Sequence, residues 1–181
     1  NYAFDGCSGF SGSLTIPDSV TRIGERAFAY SSGFTGNLEI PSSVTTFGGG
    51  VFRYCDSLTD VVLPEGITTL PGFSGCTSLT NINIPSTVTS INDSAFYNCT
   101  SLTEINIPTS GTSIGNSAFY GCKKLTNVEI PSEITTIRSH MFNGCTQLES
   151  IAISNKVTAI NANAFTGCEA LTDVYFDGTK E

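Results

Sequence analysis

The amino-acid sequence predicts a solenoid, a rod built by stacking one short unit many times along the chain. A pair formed by an apolar residue and proline recurs from Ile16–Pro17 to Ile130–Pro131, with spacings of 24, 23, 21, 23 and 23 residues. A cysteine column recurs from Cys55 to Cys168 with spacings of 21, 23, 23, 23 and 23. Because two independent columns share one period, the repeat accounts for almost the whole chain.

Each copy contains a predicted β-strand with the pattern Leu-x-x-Ile-x-Ile, as in Leu102, Ile105 and Ile107. The two isoleucines are two residues apart, so they share one face of a strand. Pro108 then ends the strand, because proline has no N–H to give to a sheet. The next segment has the pattern Val-Thr-x-Ile, as at 88–91, and is compatible with a second short strand or with an extended turn.

The last part of each copy, Ala-Phe-x-x-Cys, predicts one helical or 3₁₀ turn. Phe96 and Cys99 are three residues apart, and such a turn would point both side chains inward. A turn this short is not stable alone, so packing of its phenylalanine must hold it. One copy cannot bury its own apolar residues, but stacked copies can, since each covers the next.

Composition argues against several classes of function. The chain has 181 residues, 16 acidic and 8 basic residues and a net charge of −8, which disfavours nucleic acid and anionic membrane surfaces as partners. No apolar run approaches the roughly 20 residues that span a bilayer, so no direct membrane insertion is expected. His140 is the one histidine. No Ser or Cys nucleophile with an orienting acid is recognisable near it, so we expect neither an enzyme nor a cofactor.

The seven cysteines are interpreted as free, buried thiols that act as small hydrophobes. Cysteine pairs at C-x-x-C spacing are absent, which leaves a zinc site without support. Disulfides between neighbouring copies are the alternative. They are disfavoured because stacked side chains have parallel Cβ vectors, which suit bridging poorly.

A threonine column runs along the Val-Thr-x-Ile segments. We interpret it as a β-propensity choice on a solvated strand face, with hydroxyls bonding along the ladder. A regular array that binds ordered water or ice is the alternative. The column comprises Thr21, Thr45, Thr68, Thr89, Thr112, Thr135 and Thr158.

The combination C-x-x-L-x-x-I-x-I-P with A-F-x-x-C resembles the BspA-like leucine-rich repeat family over the whole chain. The resemblance implies a leucine-rich repeat solenoid of the strand-dominated α/β type. Such a solenoid is right-handed, with a parallel sheet on its concave side and short helical or 3₁₀ turns on its convex side. It also implies a secreted or cell-surface protein of host-associated bacteria or some protozoa, associated with adhesion and protein binding. We expect one solenoid over 1–181 with about seven and a half repeats and no caps. The first two copies have an extra residue and the third is two residues short.

The outward face of the Leu-x-x-Ile-x-Ile strands is the predicted binding surface. Its positions are polar, acidic and rich in asparagine, with one apolar and one aromatic member. A rigid array at fixed spacing suits an extended protein or glycan, although the absence of Trp and Arg predicts weak binding or avidity. Asp60 and Glu104 could together hold a cation, but Asn81 separates them. The candidate residues are Asp60, Val62, Asn81, Asn83, Glu104, Asn106, Asn127, Glu129, Asp173 and Tyr175.

These observations predict a non-enzymatic binding or adhesion module of an exported surface protein. The alternative is a structural spacer that lengthens such a protein and has no ligand of its own. The open ends of an uncapped rod predict either that the chain is a fragment of a longer protein or that copies of the chain associate end to end.

Overall fold

From the second copy onward, the Leu-x-x-Ile-x-Ile segments form strands that pair in parallel with the equivalent segments of neighbouring copies, except that β5 and β7 are not paired. This architecture is seen in a computed structural model that describes residues 1–109 and 113–176. The strands of the described residues are β1 (Arg22–Ile23), β2 (Gly36–Glu39), β3 (Thr46–Phe47), β4 (Leu58–Val62), β5 (Asn81–Asn83), β6 (Ser90–Ile91), β7 (Glu104–Ile105), β8 (Ser113–Ile114), β9 (Asn127–Glu129), β10 (Thr136–Ile137), β11 (Ser150–Ile153), β12 (Ala159–Ile160) and β13 (Asp173–Phe176).

The main row of strands runs β2-β4-β5 and then β7-β9-β11-β13. The two groups are separate sheets, but β5 and β7 contact each other. In β7, β9, β11 and β13 the register equals the sequence period, since Glu104, Asn127, Ser150 and Asp173 stand side by side. Each residue therefore stacks on its own equivalent, and any chemical pattern in one column is repeated along the rod.

The Val-Thr-x-Ile segments form a second row of short parallel strands. This row consists of the pairs β1–β3, β6–β8 and β10–β12, with a bridge from Thr69 to Ser90. Of the two alternatives, the second short strand is therefore correct. We number the copies by the residue that ends their main strand, from Pro17 in the first, Pro41 in the second, Pro64 in the third and Pro85 in the fourth to Ser154 in the seventh.

A ladder of phenylalanine rings forms the axis of the core. Neighbouring rings from Phe28 to Phe165 stack with centroids 5.4 to 6.1 Å apart and interplanar angles of 1° to 11°. The rings of Phe52, Phe73, Phe96, Phe119 and Phe142 are fully buried. Burial of each aromatic side chain contributes strongly to stability, and each ring is buried by those on both sides.

The prediction of helical or 3₁₀ turns is wrong, because the described residues contain no helix. Around Phe96, alternate N–H groups leave their own copy. Those of Ser94, Phe96 and Asn98 donate to carbonyls of the next copy, while that of Cys99 donates to Phe96, three residues back. A helix would need every one of these donors within its own segment. Bonds between copies therefore replace those of a helix.

Left-handed backbone at two positions of the turn accompanies this alternation in every copy except the short third one, where Gly75 is the one such residue of the turn. Ser94 and Asn98 flank Phe96, and each has φ of 56°. In the next copy Ser117 has φ of 53° and Gly121 has φ of 69°. A residue in this region breaks a right-handed helix and turns its N–H toward the neighbouring copy.

The first copies are less regular, as their lengths suggest. A register shift of the kind that a bulge produces lies between Gly36 and Asn37, where β2 meets β4. Phe10 and Phe34 stack at 5.0 Å, and Phe34 is buried. Extra residues are thus accommodated at the entry to the strand without disturbing the core.

Both ends of the described rod expose side chains that inner copies bury. Phe4 is 43% exposed at one end, and Phe176 is 60% exposed at the other. Val174 and Ile160 are also exposed near the second end. These residues occupy core columns for which the described part of the chain has no covering copy on one side.

Candidate functional site

The outward face of the main strands consists of two columns of side chains. In β7 Ile105 is buried while Glu104 and Asn106 on either side are exposed, because alternate residues of a strand point to opposite faces. The register aligns Asp60 with Asn81 in one column and Val62 with Asn83 in the other. Neighbouring members of a column are separated by the interstrand spacing of about 4.8 Å.

The structure places the predicted residues together on this face with different exposures. Asp60 is half-buried in β4, and Asp173 and Tyr175 are half-buried in β13. Val62 is 39% exposed and is the apolar spot of the face. The exposed members are Val62, Asn81, Asn83, Glu104, Asn106, Asn127 and Glu129.

Two internal contacts restrain part of the face. Ser150 Oγ donates to Asn127 Oδ1 over 3.0 Å, and Asn127 Nδ2 approaches Thr126 Oγ1 at 3.4 Å. The side chain of Asn127 is therefore held in place by its neighbours. Asp60 pairs with Asn81, so an amide lies between Asp60 and the next acid of the column.

A hollow of about 700 Å³ lies on the same face in the first three copies. Its lining includes Asn37 and Glu39 of β2, Val62 of β4, and Asp18 just after the first strand segment. The predicted set omitted Asp18, Asn37 and Glu39. Asn37 and Glu39 share columns with Asp60 and Val62, so the repeat register contains the signal for them. Asp18 follows Pro17 outside the strand pattern, and no periodic signal identifies it.

The cysteines are free thiols, as predicted, and five of them are buried. They are more than small hydrophobes, because each Sγ from Cys55 to Cys168 donates to the carbonyl of the phenylalanine in the preceding copy, over 3.0 to 3.2 Å. Ser31 fills the column once, fully buried, and its Oγ donates to Phe4 O over 2.8 Å. A serine can therefore replace a cysteine here with the same hydrogen bond.

Burial keeps these thiols protonated. Desolvation raises the pKa of Cys55 and of Cys122 to about 12. It also raises the pKa of Cys76, Cys99 and Cys145 well above the ordinary value for a thiol. A thiolate is the reactive form, so these cysteines are inert toward oxidation and metal binding in the folded protein.

The threonine column lies on an exposed face, where hydroxyls bond along the ladder. Thr89 Oγ1 donates to Thr68 O and Thr158 Oγ1 donates to Thr135 O, each over 3.3 Å. These bonds are the ones that the structural interpretation requires. Thr112 lies outside the described residues.

The described residues were also compared with the requirements of a metal site and of a membrane span. Residues 1–109 and 113–176 contain no cluster of three or more His, Cys, Asp and Glu side chains that could bind a metal ion. His140 is half-buried, with Nε2 3.1 Å from Asn163 Nδ2 one copy later. The same residues include no helix with the length and apolar character needed to cross a membrane.

Comparison with known proteins identifies the family. The profile of the BspA type leucine-rich repeat region matches six copies over residues 1–72 and 71–181. The chain belongs to the BspA-type leucine-rich repeat family. Members of this family are generally non-enzymatic, as is the leucine-rich repeat fold. None of the curated proteins matches the chain.

Solved leucine-rich repeat structures share the fold. A leucine-rich repeat protein from Bacteroides ovatus is 30% identical, with a TM-score of 0.84 over 92% of this chain and 45% of its own. The leucine-rich repeat protein of T. pallidum is 27% identical, with a TM-score of 0.70 over 78% of this chain and 70% of its own. The pneumococcal vaccine antigen PcpA is 15% identical, with a TM-score of 0.51 over 94% of this chain and 68% of its own, a likeness of fold alone. This leucine-rich repeat chain thus spans less than half of the B. ovatus protein.

Proposed function

We propose that this chain is a non-enzymatic binding module whose main strand face contacts an extended protein or glycan. One observation carries the proposal. Within each of the two sheets the columns of side chains on this face are in register and mostly polar and exposed, and both sheets pack on the core that contains the buried phenylalanine ladder. A preorganised surface loses little conformational entropy on binding, which favours an extended partner that meets several strands at once.

The chemistry of the face indicates the kind of group it would hold. Carboxylates of Glu104 and Glu129 and amides of Asn83 and Asn106 accept and donate hydrogen bonds. Such groups recognise hydroxyls, backbone amides or basic side chains. The face offers Tyr175 as its one aromatic anchor among the predicted residues, so we expect each contact to be weak and affinity to depend on their number.

The family resemblance supports an exported or cell-surface location and a right-handed rod whose strand face is concave. We include both in the proposal. On a concave face, side chains of several strands could contact one partner at the same time. Localisation of the full-length protein by surface labelling of intact cells tests the first of these statements.

The experiment compares a strand-face variant with a matched control on the turn side. Asn106→Ala, Glu129→Ala and Tyr175→Ala are combined in one chain, and the exposed residues Lys124, Gln147 and Glu169 are changed to alanine in the other. Both are tested against a panel of glycans and matrix proteins. We expect binding to fall at least tenfold in the first chain only, while equal binding by both would overturn the strand-face assignment.

The continuity of the core favours a second candidate, a spacer. The phenylalanine ladder runs from Phe28 to Phe165 without a gap, which is what a stiff rod needs. If no member of the panel binds the unmodified chain above background, the spacer is the better assignment.

We also propose that the isolated 181-residue chain associates end to end with a second copy. The bonds between copies are directional, since each turn donates N–H groups to the carbonyls of the next, as from Phe142 to Ala164. A head-to-tail contact would extend this ladder and cover Phe4 and Phe176 together. Light scattering over a concentration series should show a rising mass, and a constant monomer mass would contradict the contact.

A further inference from the structure

A hollow on the turn side of the rod lies where the third copy is short. Its volume is about 360 Å³, and it lies between the second and fourth copies. We call it the glycine hollow and define it by Gly49, Arg53, Gly72, Asn92, Asp93 and Tyr97. It belongs to neither column of the main strand face.

The hollow exists because two residues are missing. In the fourth copy, Asn92 to Ala95 connect the second strand to Phe96, whereas in the third copy Pro71 and Gly72 alone make the same connection to Phe73. The connection of the third copy therefore extends less far from the core, and the longer connections of the second and fourth copies form the sides of the hollow.

The absence of a side chain at Gly49 keeps the hollow open, although the backbone conformation at this position does not require glycine. A Cβ atom built on Gly49 meets nothing within 4 Å, and its φ is not positive. Gly48, next to it, is different, because its Cβ would lie 2.2 Å from the backbone N of Glu25. Packing thus explains Gly48 but leaves the missing side chain of Gly49 without a structural cause.

Tyr97 offers an aromatic face to the hollow. The backbone bonds from Tyr54 N to Ser74 O and from Gly75 N to Tyr97 O place Arg53, Ser74 and Tyr97 in one column. On its far side Tyr97 stacks on Tyr120, with centroids 4.7 Å apart and rings 6° from parallel. On its near side the column continues with Ser74, whose side chain is too small to cover the ring.

Arg53 supplies a cation at the other end of the same column. Its Cζ lies 5.2 Å from the ring centroid of Tyr54, which places the guanidinium over that ring. The salt bridges of the described residues are Arg26–Asp5 and Lys156–Glu133, so Arg53 has no carboxylate partner there. Its hydrogen-bond donors are free to hold a bound carboxylate bidentately.

The polar groups are arranged with opposite character at the two ends. Arg53 lies in the second copy, whereas Asp93 and Asn92 lie in the fourth beside Tyr97. Asp93 Oδ1 accepts the N–H of Asn116 over 2.7 Å, which orients the carboxylate. The second and fourth copies are separated by two interstrand spacings, roughly 9.5 Å. This span accommodates a single sugar ring with a carboxylate at one end.

We propose that the glycine hollow binds an acidic sugar of the uronic or sialic acid class at the end of a glycan. The carboxylate of the sugar pairs with Arg53. The C–H face of the ring packs on the near side of Tyr97, and ring hydroxyls donate to Asp93 and bond to the amide of Asn92. This site is separate from the main strand face, so the strand-face variant described above leaves it intact.

Three probes, two of which form a matched pair, test the proposal by ligand-observed NMR. Methyl glucuronide and methyl glucoside differ in the carboxylate alone, and the methyl glycoside of N-acetylneuraminic acid provides a second acidic sugar. We expect at least one acidic sugar to bind saturably with a dissociation constant on the order of 1 mM. Methyl glucoside should bind at least fivefold more weakly. No saturable signal from either acidic sugar up to about tenfold that concentration would overturn the proposal.

Variants then assign the binding to the hollow. Gly49→Gln fills it, and Gly9→Gln is the control, because a Cβ at Gly9 also meets nothing within 4 Å but lies in another copy. Arg53→Met should remove the preference for the acidic sugar, whereas Arg22→Met, at another exposed arginine, should not. Circular dichroism confirms that each variant is folded. Unchanged binding in folded Gly49→Gln or Arg53→Met would show that the sugar binds elsewhere and would overturn the assignment.

Discussion

The first three copies and the copies from the fourth to the seventh bury the same columns of side chains but differ in surface shape. From the fourth copy onward the period is 23 residues, and Phe96, Phe119 and Phe142 stack within 5.4 to 5.6 Å. The first three copies vary in length, yet Phe52 and Phe73 still stack at 5.5 Å. The hollow on the strand face and the glycine hollow both involve these irregular copies.

The difference separates what stabilises the rod from what shapes its surface. Insertions and deletions occur in connections, while the Phe, Cys and Ile columns keep their register across them. A solenoid can therefore acquire a local site by losing two residues from one copy, because its neighbours still cover the core.

The largest expected effect concerns the two regions of the phenylalanine ladder. Phe119→Ala removes a fully buried ring between two others and should lower the free energy of unfolding by about 4 kcal/mol. Phe4 lies in the N-terminal turn that precedes the first copy. Phe4→Ala removes a ring that is 43% exposed and should lower the free energy of unfolding by about 1 kcal/mol. Urea unfolding measures both. Equal losses would mean that the first turn is packed as tightly as the regular copies.

A glycine pair sharpens the comparison inside the irregular region. Gly9 and Gly33 are equivalent residues in consecutive copies, but a Cβ on Gly33 would lie 1.5 Å from Phe10 O, whereas one on Gly9 meets nothing. Gly33→Ala should destabilise the protein by roughly 3 kcal/mol and Gly9→Ala by less than about 0.5 kcal/mol. Thermal unfolding distinguishes them, and a neutral Gly33→Ala would show that the bulged entry is easily displaced.

Alkaline pH should lower the free energy of unfolding through the buried cysteines. Burial raises the pKa of Cys122 to about 12, so the folded protein keeps a proton that the unfolded chain loses at the ordinary thiol value. The free energy of unfolding is therefore constant below that ordinary value. It should fall by about 1.4 kcal/mol per pH unit for this thiol as pH rises above it, up to the folded pKa.

Cys122→Ser provides the matched control, because Ser31 already makes the equivalent bond to a phenylalanine carbonyl. The variant should have a shallower alkaline slope of the free energy of unfolding, by about 1.4 kcal/mol per pH unit. Urea titrations at pH 8, 9 and 10 measure it. An unchanged slope would mean that the thiol does not titrate on unfolding.

The smallest expected effect is at Ser31 itself. Ser31→Ala removes the hydrogen bond to Phe4 O in the irregular region and should cost about 1 kcal/mol. Ser31→Cys restores the donor of the regular copies and should be close to neutral. If both variants lose the same stability, the bond contributes nothing and shape alone selects the residue.

The sequence-based predictions succeeded where the repeat itself contains the information. The spacing of Phe96, Cys99 and Ile105 identified three buried columns, and the strand alternation placed Glu104 and Asn106 on the exposed face. The turn was predicted wrongly because a Phe–Cys spacing of three fits both a 3₁₀ turn and a β-turn. Bonds from Ser94 and Asn98 to the next copy decide between them, and a single copy does not reveal those bonds.

The hollows could not be predicted for a related reason. The short third copy is visible in the sequence, but the shape of the gap depends on how Gly49 and Asp93 approach across it. The binding role of the ten strand-face residues stays a prediction, since exposure and register place them without supplying a partner.

The central claim is that backbone hydrogen bonds between copies hold the rod together and are weaker next to the short third copy. Native-state hydrogen exchange tests this claim most directly. The N–H of Phe119 donates to Met141 O over 2.9 Å, and that of Phe96 to Ala118 O over 2.8 Å, whereas that of Phe52 reaches Gly72 O at 3.4 Å. We predict protection of Phe96 and Phe119 near the global free energy of unfolding and at least tenfold faster exchange at Phe52. Equal protection at all three amides would contradict the claim that hydrogen bonding between copies is weaker next to the third copy.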